Sequence, residues 1–141
     1  MPIIGYNISS IQAERRNLQA KKIDISSTPR INSVIERNLT FPAKQIALAI
    51  SFEFKTSYNP DIGQIKFVGE LLYSDKNTKK ILDFWDKKNK LPDNVDMEVK
   101  NFLFRKCLIL GINISENLQL PPPIMFPALS QKKDEDTKYI G

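Results

Sequence analysis

From Ile46 to Tyr58 large side chains fall on even positions (Ile46, Leu48, Ile50, Phe52, Phe54, Tyr58), with small or charged ones between them. Strict period-two alternation predicts a strand with one buried and one wet face. Asn59-Pro60-Asp61-Ile62-Gly63 carries turn residues, and Ile65, Phe67, Gly69, Leu71 and Tyr73 then alternate again. The pattern predicts an antiparallel partner strand, in which Gly69 marks a bend or a close contact. Upstream the pattern is weaker. Ile11, Ala13 and Arg15 predict a strand over Ile8–Arg16, and Ile23, Ile25, Ile31, Val34 and Ile35 another over Lys22–Arg37. Pro29 interrupts the latter and predicts an edge, bulge or turn, because proline cannot donate to a ladder; the phase slip after it is what a bulge produces.

Downstream the period changes. Ile81, Leu82, Phe84 and Trp85 predict a short helix from Thr78 to Lys88, with Asn77 as N-cap. After the connector Leu91-Pro92-Asp93-Asn94, a long helix runs from Asn94 to Leu120, which Asp93, Asn94 or Asp96 can cap. It carries two apolar stripes. Val95, Val99, Phe102, Leu103, Cys107, Leu110 and Ile114 form one, and Phe104, Leu108 and Ile112 the other. A helix covering a sheet needs only the first. The second is either ordinary core or an interaction surface. Gly111 costs the helix about 1 kcal/mol relative to alanine, or divides it. From Leu118 to Leu129 the run LQLPPPIMFPAL combines prolines, which favour an extended path, with large apolar residues that should keep it against the body of the domain. Strands followed by helices make an α+β domain: a four-stranded antiparallel sheet with a short and a long C-terminal helix packed on one face. The domain should span 1–129, with 130–141 a charged, flexible tail.

The 141 residues include one cysteine and no histidine. An intrachain disulfide, a histidine general base and the usual zinc ligand sets are all excluded. Cys107 lies in the first stripe and reads as a small buried hydrophobe. The carboxylate pairs, Asp83 with Asp86 and Asp134 with Asp136, read as solvation of a helix and a tail, and no glycine-rich phosphate loop is present. No enzyme activity and no cofactor are expected. The N-terminus lacks the pattern of a signal peptide, and no apolar run is long enough to span a membrane, so a reducing, cytoplasmic setting is expected. The net charge of +5 leaves a nucleic-acid or ribosome-binding module as the alternative class. No aromatic RNP motif, GXXG loop or dense basic helix supports it, so nucleic acid is not the expected partner.

The order of elements, together with Leu118, Leu120, Pro121, Pro122, Phe126, Ala128 and Leu129, resembles the SecB-like protein-export chaperones, whose C-terminal pattern is close to L-N-L-P-P-I-N-F-x-A-L. This chain has one additional proline within the motif. The resemblance implies an ATP-independent holdase for unfolded or nascent polypeptide. It also implies a homo-oligomer, a tetramer built as a dimer of dimers, whose assembly would cover the second stripe. Two departures argue against coupling to the SecA export motor: the chain is basic where export members are acidic, and its tail is Lys132-Lys133-Asp134-Glu135-Asp136. Clients are expected in an apolar groove between the long helix, its connector and the sheet. The candidate contacts are Trp85, Leu91, Val95, Phe102, Phe104, Leu120, Met125 and Phe126, with Leu91 expected on a mobile groove wall and Phe102 nearer the core.

Overall fold

The computed structural model describes residues 3–16, 22–40 and 43–123. Four strands, β1 (Ile3–Arg15), β2 (Asp24–Leu39), β3 (Gln45–Asn59) and β4 (Gly63–Tyr73), precede two helices, α1 (Thr78–Lys88) and α2 (Asp93–Asn117). The strands form one antiparallel sheet in the order β1-β4-β3-β2. The most regular strands in the sequence are therefore the central pair. Leu48, Ile50, Phe52 and Phe54 of β3 and Phe67 and Leu71 of β4 are fully buried on the helix-bearing face. Each such side chain contributes roughly 1.5–3 kcal/mol on burial, and a one-residue slip would expose the whole row.

Two details of β3 differ from the alternation. Ile46 is 41% exposed, because it stands at the strand's end beside the β2–β3 connection, opposite Asn38. Ala47 and Ala49 are buried although they face the other way. On that face Arg37 of β2 reaches across β3 to form a two-pronged ion pair with Glu70 of β4, one prong at 3.1 Å. Small side chains at 47 and 49 leave room for the guanidinium to cross.

β1 begins at Ile3, five residues before the expected start at Ile8. Register shifts at Ile4 and Ser9 break its phase, so its N-terminal half shows no alternation to read. Beside the second shift, Gly69 comes so close to β1 that a Cβ there would collide with the Asn7 carbonyl oxygen and lie 2.9 Å from Phe52 Cζ. The close contact expected at Gly69 is present. Pro29 lies in β2, an edge strand, opposite Phe54, and an extra residue at Asn32 supplies the bulge.

Both helices lie on one face. Ile81 of α1 joins the core made by the inward residues of β3 and β4. Asn77 stands at the N-cap of α1 without a side-chain capping bond, and Pro92 rather than an acid occupies the cap position of α2. Asp93 and Asp96 lie in the first turn of α2, where the helix dipole favours carboxylates.

α2 is continuous through Gly111. Its fully covered residues are Val95, Val99, Leu103, Cys107, Gly111 and Ser115, spaced every four, with Phe102 beside them. Steps of four advance roughly 40° around a helix, so the cover must wind around it. Sheet residues supply that cover at first, and Pro121–Pro123 supply it at the end. Gly111 is there because a Cβ would stand 3.2 Å from Pro123 Cγ. The Tyr58 hydroxyl donates to the Pro121 carbonyl at 2.7 Å, and the Leu120 N–H to the Ser115 carbonyl at 2.9 Å. The proline-rich segment thus lies against the domain as far as Pro123. Leu110 and Ile114, read as part of the first stripe, are half-buried. No helix among the described residues is long and apolar enough to cross a membrane.

Candidate functional site

The connector between the helices shapes a cleft beside the edge strand β2. α1 ends at Lys88, and its C-cap Asn89 donates its N–H to the Trp85 carbonyl at 2.7 Å and turns the chain out of the helix through its left-handed backbone (φ 55°). The chain then turns through Lys90 and Leu91 and starts α2 at Asp93. This turn holds the end of α1 and the start of α2 beside the middle of the edge strand β2. Pro29, Arg30, Ile31, Trp85, Asn89, Lys90, Leu91, Asp96 and Lys100 line the resulting cleft of about 230 Å³. Its apolar wall is the half-buried Trp85 with Pro29 and Ile31. Its charged rim contains one ion pair, Lys100 with Asp96 at 3.1 Å. Among the described residues β2 pairs with β3 alone, so its other edge presents backbone groups that can meet an extended chain.

The expected contact residues do not gather in one place. Trp85 and Leu91 line this cleft. Leu91 is only 2% exposed and packs in the core, which corrects its reading as a groove wall standing free. Val95 is buried as well, and borders a neighbouring hollow of about 270 Å³ between the N-terminal ends of α1 and α2, together with Asp75, Lys80 and Phe84. Phe102 is buried beneath Tyr6 of β1, the rings meeting edge to face at 5.3 Å, with Lys106 Nζ 5.7 Å from its centroid. Leu120 is buried at the far end of α2. Met125 and Phe126 lie outside the described residues.

Phe104 sits elsewhere again. Its ring stands edge-on to Phe54 at 5.3 Å, while its outer side forms an almost wholly apolar surface with Arg105, Leu108 and Ile109. Ile109 and Met97 are 63% and 64% exposed. Phe104 and Leu108 of the second stripe pack partly on the core, and Ile112 is half-buried, so this stripe is a side flank of α2 that is half in water.

Sequence reasoning missed Pro29, Ile31, Lys90 and Lys100 as cleft residues. Pro29 was visible as a break in β2, but nothing local tells that this break lies beside Trp85.

The chemistry of the fold is that of packing. Burial pushes the Cys107 thiol up to about 12 and the Tyr58 phenol to about 12. A thiol so hard to ionise is a poor nucleophile. Among the described residues no three Cys, Asp or Glu side chains come together as a metal-ligand group.

No protein-family model matches the chain, and no curated protein matches it. Among solved structures, the Mycobacterium tuberculosis Rv1957 SecB-like chaperone, in complex with a ChAD peptide from the Rv1956 HigA1 antitoxin, matches this chain with 14% sequence identity and a TM-score of 0.46. The match covers 93% of this chain and 91% of that one.

Proposed function

We propose that this chain is an ATP-independent chaperone that holds unfolded or nascent polypeptide and works as a homo-oligomer, a dimer of dimers. The observation that carries the reading is the juxtaposition of a strand edge that no described residue pairs with and a cleft that has one apolar wall and a charged rim. An extended client can add its backbone to β2 while a large side chain enters beside Trp85, Pro29 and Ile31. Edge pairing is indifferent to sequence, and an apolar pocket is nearly so, which is the selectivity that unfolded clients require. Trp85 acts as the contact residue in this reading, with Leu91 as the packed support behind it, while Val95, Phe102 and Leu120 belong to the core elsewhere. The outward flank of α2, with Phe104, Leu108 and Ile109, is the surface a second copy would cover, because exposed apolar patches of this kind mark interfaces. Export through SecA is not part of the proposal.

The test is light scattering from a chemically unfolded, aggregating client diluted into stoichiometric protein without nucleotide. Suppression that persists at moderate salt is expected, since apolar contact is not screened. Trp85→Ala should raise the amount of protein required several-fold. No suppression of several unrelated clients at any ratio would overturn the reading.

A further inference from the structure

The cleft is not electrically neutral. Lys90 and Lys100 line it against one acid, Asp96, and that acid is engaged by Lys100; Arg30 also borders it but stands opposite Glu53, whose face of the sheet is turned away from the helices. Lys87 and Lys88 form the last turn of α1 immediately before it, both exposed to solvent. Among the described residues the ion pairs are Arg16 with Glu14 and Asp61, Arg37 with Glu70, Lys66 with Glu53, and Lys100 with Asp96. Lys87, Lys88 and Lys90 have no acidic partner among them, and the two acids nearest in sequence, Asp86 and Asp93, have no basic one. An apolar wall is thus bordered by three lysines outside any ion pair, against two such acids, beside a strand edge that no described residue pairs with. The volume of about 230 Å³ falls below the roughly 300–1,000 Å³ of sites for cofactors and drug-sized ligands. The cleft is of a size for a side chain.

We propose that the Trp85 cleft selects acidic client segments: extended stretches in which a Phe, Leu or similar side chain is flanked by Asp or Glu. This rests on the chaperone reading of the cleft and names its client class. The apolar side chain enters against Trp85, Pro29 and Ile31, and the backbone follows the β2 edge. The flanking carboxylates meet Lys90 and the lysines that end α1. Segments flanked by Lys or Arg bring like charge to the same rim and are disfavoured. Each exposed charge pair is weak, yet several acting together over distances shorter than the screening length separate the two classes of segment by about tenfold at low salt.

The experiment uses the full chain and its sole tryptophan, Trp85, as reporter. Two short Trp-free peptides share the same Phe and Leu residues, one flanked by Glu and the other by Lys. Each is titrated against Trp85 emission at low and high salt, and by anisotropy of the fluorescein-labelled peptide. The Glu peptide is expected to bind about tenfold tighter at low salt, with the gap closing at high salt. Lys90→Glu, a change on an exposed connector residue, should remove most of the preference. Equal affinity for the two peptides, or a preference untouched by Lys90→Glu, overturns the charge selection and leaves the chaperone reading standing. Peptide binding without any Trp85 response, in a chain that still suppresses aggregation, overturns this location. A poly-uridine oligonucleotide that quenches Trp85 more tightly than the Glu peptide would assign the basic rim to nucleic acid and overturn the proposal. Loss of both peptide binding and aggregation suppression would remove the chaperone reading itself.

Discussion

Cys107 and Tyr58 show how far single positions were readable. Cys107 was expected to be buried because it falls in an apolar helical stripe, and it is 1% exposed. Burial raises its thiol from an ordinary value of 9.0 to about 12, and raises Tyr58 from 10.0 to about 12. Tyr73 moves in the same direction, through burial first and then its hydrogen bond to Glu98 at 2.8 Å. In the unfolded chain these groups lose protons near pH 9 to 10, while the fold retains them to about 12. The unfolded state then binds fewer protons, so stability falls as pH rises through that window and is unaffected below it. Urea titrations followed by circular dichroism should show a flat midpoint up to about pH 9 and a decline above it, on the order of 2 kcal/mol. Cys107→Ala should shallow the start of that decline. Leu91 was the opposite case. Its neighbour Pro92 made it read as a surface connector, and its 2% exposure follows from the way α1 and α2 fold the connector inward, which no local pattern encodes.

α2 is the element whose reading was most informative and most incomplete. The first stripe holds most of its buried residues, and the second, Phe104, Leu108 and Ile112, is a half-buried side flank. Its buried row was misplaced toward the C-terminus, where Gly111 and Ser115 replace Leu110 and Ile114 as the covered positions. The reason is the cover: at that end the helix meets Pro121–Pro123, and a small residue is needed for the close approach. Substituting Gly111 tests this. Gly111→Leu should destabilise by about 1–3 kcal/mol through overpacking against Pro123. Gly111→Ala should stay within about 1 kcal/mol of the original, because gained helix propensity offsets a mild contact. Chemical denaturation measures both, and equal stability of all three chains would mean that the proline segment does not bear on the helix. Among the strands, β3 and β4 were legible nearly to the residue. β1 was not, since its register shifts remove the alternation that makes a strand visible.

In the folded domain the two helices shield one face of the sheet, and among the described residues none covers the outer flank of α2 or pairs with the outer edges of β1 and β2. If a second copy covers the α2 flank, Ile109→Asp should lower the molecular mass measured by light scattering after size exclusion, at unchanged helix content. An aspartate at a position 63% exposed costs the isolated subunit little, whereas burying it unpaired in an interface costs several kcal/mol. An unchanged mass would place any assembly elsewhere. Periodicity is a local property, and so the class of fold, the central strands, the double-striped helix and the adherence of the proline segment as far as Pro123 were all present in the order of residues. Strand order is not local. Which strand is an edge, how deeply Leu91 sits, and that Pro29 and Lys90 share a cleft with Trp85 depend on contacts between segments more than fifty residues apart. Those contacts exist once the sheet has closed and the helices have packed on it, because only then does one buried face serve every element.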